Sequence, residues 1–179
     1  MGDLATLLKE KRKEESSVDV SGLSYRVILA DESVMNPFAV DSELVRLVNR
    51  RTSALKSERS KAKSIFDWCM EHISYGTTKK EFGYSNSLEV FRNREGICGE
   101  MAFLYIALTR SIGLCSSYVS VIKDFQKKRV RHACAVVYPK RDIRKKLFVD
   151  IAYQRFDIQH KKVKILSDAE AISRYQQWR

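Results

Sequence analysis

REGICGEMAFLYIALTRSIG, residues 94–113, holds the reading that decides the fold. From Cys98 to Ile112 the run is almost continuously apolar, and Gly113 stands just beyond its end. That length exceeds an ordinary strand, and a glycine past the last apolar residue is a usual helix stop. The stretch therefore reads as a central helix, apolar nearly all round and buried in the core. Cys98 opens it, after the turn Asn93 to Gly96.

Downstream of Gly113 the period changes. Cys115–Lys123, Val130–Tyr138 and Lys146–Tyr153 alternate or run apolar over short lengths, separated by polar turns. They read as three antiparallel strands in a meander, with a fourth over Lys162–Leu166. Ser167 or Asp168 then caps a last helix running to about Trp178. Upstream, Asp41 or Ser42 caps a helix to about Arg51, after a turn at Pro37. A further helix spans Ser57 to Ile73, with Ala62, Ile65, Phe66, Cys69, Met70 and Ile73 on its buried face. Ser74–Asn86 reads as a loop and Ser87–Arg92 as a short helix. Helices first, then a meander, make an α+β fold with the sheet packed on the central helix.

The chain has 179 residues, of which 44% are hydrophobic, enough for one domain with a proper core. Residues 1–59 read as an N-terminal extension packed on the core, with a charged amphipathic helix over Asp3–Glu15, a strand over Leu23–Ala30 and then the capped helix. Residues 60–179 read as the core itself. Two prolines and seven glycines exclude collagenous or low-complexity chain. The net charge of +11 is scattered among acids and turns, which describes a solvated surface. Without zinc-finger, RRM or KH signatures, it argues against nucleic acid as a partner. The opening residues lack the apolar core of a secretory signal, and no run suits a membrane span. A cytoplasmic setting is expected, and with it free thiols at Cys69, Cys98, Cys115 and Cys134.

A thiol at a helix N-terminus faces the positive end of the helix dipole and unpaired N–H groups, and both favour the reactive thiolate. Gly96 and Gly99 leave room for a substrate backbone. His132 lies on the second strand of the meander, sharing a face with Cys134 and Val136, and Asp150 lies on the third. Pairing of those strands brings imidazole and carboxylate together, so the carboxylate orients a ring that exchanges protons with the thiol. Taken singly, each residue has a plainer role: a cysteine in an apolar helix is usually a small core residue. Tyr75, Tyr84 and Asn86, ahead of Cys98, are candidate donors to an oxyanion. Glu100 reads as a structural partner for a nearby donor, and His72 and His160 as surface residues. Cys134 two residues from His132 suggests a metal check, but no Cys-x-x-Cys pair is present. No metal and no cofactor are expected.

Asn93-Arg94-Glu95-Gly96-Ile97-Cys98-Gly99-Glu100-Met101-Ala102 resembles the nucleophile motif of the transglutaminase-like superfamily. His132-Ala133 resembles that family's histidine motif, and Phe148-Val149-Asp150 its aspartate motif. The upstream helix with Ile65, Phe66 and Trp68, then Ile73-Ser74-Tyr75, resembles its lead-in. The likeness covers about Ser60 to Tyr153. It implies a papain-like core with Cys98 as nucleophile, His132 as general base and acid, and Asp150 as orienting carboxylate. The chain departs from the pattern where Cys134 and Ala135 follow the histidine motif, where Leu147 precedes the aspartate strand, and where Ile151 follows the aspartate.

The expected function is cysteine-dependent acyl transfer on an amide of a protein or peptide, through a thioester. The chain's small size favours hydrolysis, as by a peptidase or amidase, over cross-linking. The alternative is a non-catalytic scaffold of the same fold that binds a protein or an anionic polymer. Oligomeric state is not readable from the sequence.

Overall fold

The computed structural model describes residues 36–76 and 84–178. The helix expected over Asp3–Glu15 and the strand over Leu23–Ala30 lie outside them. Helix α1 spans Ser42–Thr52, and the Asp41 side chain caps it by accepting from the Leu44 amide. Helix α2 spans Glu58–His72 and is capped by Ser57. Helix α3 spans Ser87–Asn93 and starts in a capping box between Asn86 and Glu89. It ends at Arg94, whose φ of 59° is left-handed. The Arg94 guanidinium then lies 4.5 Å from the ring centre of Phe91, a cation–π contact that offsets the backbone cost.

Helix α4 spans Cys98–Arg110. Every residue from Gly99 to Arg110 is buried, as its apolar pattern requires. Gly113, at φ 78°, closes it while the Leu114 amide reaches back to the Thr109 carbonyl. The buried polar groups at its end have partners. Thr109 Oγ1 bonds the Tyr105 carbonyl and Ser116, and the Arg110 guanidinium donates to the Ser116 carbonyl.

Five strands form an antiparallel sheet: β3 (Ser116–Lys123), β4 (Arg129–Val137), β5 (Leu147–Asp150), β6 (Arg155–Phe156) and β7 (Lys162–Ile165), in the order β6-β5-β4-β3-β7. The meander is thus as expected, but the last strand crosses to the far edge and pairs with β3. The short β6 had no alternation to announce it, and β5 is shorter than its apolar run. Two residues read as loop, Ser74–Tyr75 (β1), pair in parallel with Glu95–Gly96 (β2), read as turn. That bridge fastens the end of α2 to the approach to Cys98. Helix α5, Asp168–Trp178, closes the chain, with Ser167 and Glu170 bonding reciprocally at its start.

The two sheet faces are both apolar. Ala133, Ala135 and Val137 join Leu147, Val149 and Tyr118 in the main core around α4, which also takes in Leu44 and Val48 of α1. Cys134, Val136 and Tyr138 form a smaller cluster with Val119 and Val121. The α+β architecture and the packing of sheet on central helix follow the sequence reading. No helix among the described residues is long and apolar enough to cross a membrane.

Candidate active site

Cys98 is the first residue of α4 and is half-buried. Its first-turn amides have no intrahelical acceptor, as at any helix start. Glu100, almost fully buried, fixes this corner: its carboxylate accepts from the Ile97 amide at 2.8 Å and the Ser85 amide at 2.6 Å. The structural role expected of Glu100 is what it has. Gly99 is needed for space, since a Cβ there would stand 2.9 Å from the Tyr118 hydroxyl.

His132 and Asp150 meet across the sheet. The register Ala135↔Val149 carried one step further sets Cys134 opposite Asp150, with His132 on the diagonal. His132 Nε2 lies 2.7 Å from Asp150 Oδ2, and both side chains are buried. The ring's other nitrogen is left for the Cys98 thiol, which lines the same cleft. Burial pulls the His132 pKa down, but the hydrogen bonds and charges of Asp150 and Cys98 outweigh it and raise it to about 9. Burial likewise works against the Asp150 carboxylate, yet its bonds to His132 and His160 hold it below the usual carboxylate range.

His160 is not a surface residue. Its side chain is fully buried, and its Nε2 lies 3.0 Å from the same Asp150 Oδ2. An ionised carboxylate only accepts, so both rings donate through Nε2. His160 Nδ1 is buried with no hydrogen-bond partner. Tyr153 completes the arrangement: its amide donates to Asp150 Oδ1 at 2.9 Å, and its ring stacks on His132 with centroids 4.1 Å apart. Neither His160 nor Tyr153 carries a local sequence signal. Only the turn after β5 brings them onto the pair.

The candidate oxyanion donors separate. Tyr84 lines a cleft of about 570 Å3 together with Cys98, Tyr118 and His132. Tyr75 is 63% exposed, and burial together with the nearby Cys98 and Glu100 raises its phenol pKa. Asn86 is committed to capping α3, its side-chain oxygen accepting from the Glu89 amide at 2.9 Å. Cys134, Asp150 and His160 place potential metal-ligating atoms within 4.8 Å of one another. This set shares only Cys134 with the His132 and Cys134 pair that the sequence suggested. Burial, then the charges of Asp150 and Cys98, push the Cys134 thiol well up, so it holds its proton. A cation there would also take the carboxylate from His132.

Comparison with known proteins adds the lineage. A sequence profile described as transglutaminase-like superfamily matches residues 45–157. No curated protein matches the sequence. Among solved structures, a candidate cysteine protease from Cytophaga hutchinsonii aligns with TM-score 0.51 at 19% identity, over 81% of this chain and 55% of that one. LapG of Legionella pneumophila aligns with TM-score 0.52 at 12% identity, over 75% of this chain and 80% of that one. At such identities the likeness is one of fold.

Proposed function

The chain belongs to the transglutaminase-like superfamily, and on that premise we propose that it is a cysteine enzyme that breaks an amide bond of a protein or peptide through a thioester at Cys98. The observation that carries this reading is the meeting of Cys98, at the start of α4, and His132 in one cleft, with His132 hydrogen-bonded to the buried Asp150 carboxylate. The imidazolium favoured by Asp150 is the form that stabilises an adjacent thiolate.

In the proposed sequence, the Cys98 sulfur attacks the amide carbonyl carbon and the C–N bond breaks. The His132 proton goes to the departing amine. First-turn amides of α4, with Tyr84 as a second candidate, face the developing oxyanion. Neutral His132 then takes a proton from water as its oxygen attacks the thioester, releasing the acid and restoring the thiol. Hydrolysis is favoured over transfer to a second amine, in keeping with the protease description of the C. hutchinsonii fold relative.

Site-resolved alkylation by iodoacetamide, from about pH 5 to about pH 9, tests the reading. Cys98 should react well ahead of Cys69, Cys115 and Cys134 near neutral pH and lose that lead in His132→Ala. A peptide-amide screen with wild type and Cys98→Ala follows. A Cys98 that alkylates like an ordinary thiol would leave a binding scaffold of this fold as the better description.

A further inference from the structure

The cleft beside Cys98 draws one wall from outside the family match. The profile ends at residue 157, whereas Arg174, Gln177 and Trp178 of α5 line the cleft together with Cys98, Arg131 and His132. Helix α5 is held firmly. Arg110, buried to 1%, grips Asp168 at its start through two bonds, of 2.7 and 3.0 Å. Ala171 and Tyr175 are fully buried in the core. At the far end the Tyr84 amide donates to the Trp178 carbonyl at 2.8 Å, and the two rings lie 5.8 Å apart. Arg174 and Tyr118 line the cleft together, and the Tyr118 hydroxyl lies beside Gly99.

The charge of this lining is one-sided. Among the described residues it contains Arg131 and Arg174 and no Asp or Glu. Neither arginine forms an ion pair among the described residues. A guanidinium fixed on a rigid helix loses little freedom on binding and matches a carboxylate with two parallel hydrogen bonds. The aromatic surfaces of Tyr84 and Trp178, the latter 58% exposed, offer apolar contact for a peptide. An anion that arrives together with an amide is an Asp or Glu side chain of a polypeptide.

We infer that the cleft selects acidic polypeptide segments, with Arg174 binding the carboxylate of an Asp or Glu close to the amide that Cys98 attacks and Arg131 adding a second positive charge. The inference deepens the proposed function and rests on it only for the identity of the bond attacked.

The test measures binding separately from chemistry. Full-length Cys98→Ala is titrated by fluorescence anisotropy with three labelled peptides, identical except for Glu, Gln or Lys at the variable positions. The Glu peptide should bind about tenfold more tightly than the Gln peptide, the equivalent of one well-placed ion pair, and the Lys peptide more weakly still. The Glu advantage should shrink at high salt, persist in part in Arg174→Lys, vanish in Arg174→Gln and reverse in Arg174→Glu, each checked for folding by circular dichroism. Equal affinities, or no binding by any peptide, would overturn the inference. Iodoacetamide reactivity of wild-type Cys98 separates the two claims. A fast thiol with no charge preference refutes the acidic site alone. Charge-selective binding with an inert thiol refutes the chemistry alone.

Discussion

His160 donates to the same oxygen of Asp150 that His132 does, 3.0 Å from Oδ2 and fully buried. A carboxylate with two imidazole donors on one oxygen and the Tyr153 amide on the other is fixed in orientation and disfavours protonation. His160 is thereby a positioning residue for the proposed proton-transfer pair.

Removing that donor should raise the Asp150 pKa. The carboxylate is depressed in the folded protein, so its contribution to stability is present above the unfolded value and lost as pH falls through the folded one. In His160→Ala the acid limb of kcat/KM and of stability should both move to higher pH. The lost bond should cost about 2 kcal/mol in urea unfolding. His160→Gln, which keeps an N–H donor, should recover part of both effects. An unmoved acid limb in His160→Ala would leave His160 with a packing role only.

The alkaline side is set by His132. Its folded pKa, about 9, lies above the ordinary imidazole value. Its stabilising contribution is therefore complete below the unfolded value of about 6.5 and lost as pH rises through the folded one. The proton meant for the leaving amine is lost over the same range, so kcat should fall with a limb near pH 9. Asp150→Asn removes both a hydrogen bond and a charge, and it should draw the limb downward. The pH profile of amide cleavage measures this, and a limb unchanged by Asp150→Asn would detach the carboxylate from the histidine.

Gly99 and Tyr118 should behave as a coupled pair. In Gly99→Ala the new methyl would stand 2.9 Å from the Tyr118 hydroxyl, and Tyr118 is buried. Crowding of this kind costs about 1 to 3 kcal/mol, more than the helix gains from alanine over glycine. Gly99→Ala should lower the melting temperature and activity, and adding Tyr118→Phe should restore much of the stability. A double-mutant cycle from thermal melts reads the coupling, and additive losses would place the strain elsewhere.

Asp168→Ala should loosen α5. It takes the Asp168 carboxylate from the buried Arg110 guanidinium, which keeps the Ser116 carbonyl. The expected loss is about 2 to 3 kcal/mol, below that of a fully buried pair because Asp168 is 42% exposed. Urea denaturation gives the stability change. Loss of Glu-peptide selectivity in Cys98→Ala/Asp168→Ala would show that the anchor also places Arg174.

The sequence by itself determined the elements whose signals are local. The unbroken apolar run after Cys98, with Gly113 beyond it, made α4 a buried core helix, because each of its faces meets another part of the core. The alternation from Cys115 onward made the meander, since strand neighbours point to opposite sides. Residue type and order along those elements were enough to nominate Cys98, His132 and Asp150. The rest was decided by tertiary structure. His160 follows a turn with no periodicity, and its burial depends on chain reversal bringing it back ten residues to Asp150. Arg174 enters the cleft because Arg110 holds Asp168 across 58 residues of sequence. Such contacts arise from the closure of whole elements on one another, and no stretch of sequence short enough to show a period contains both partners.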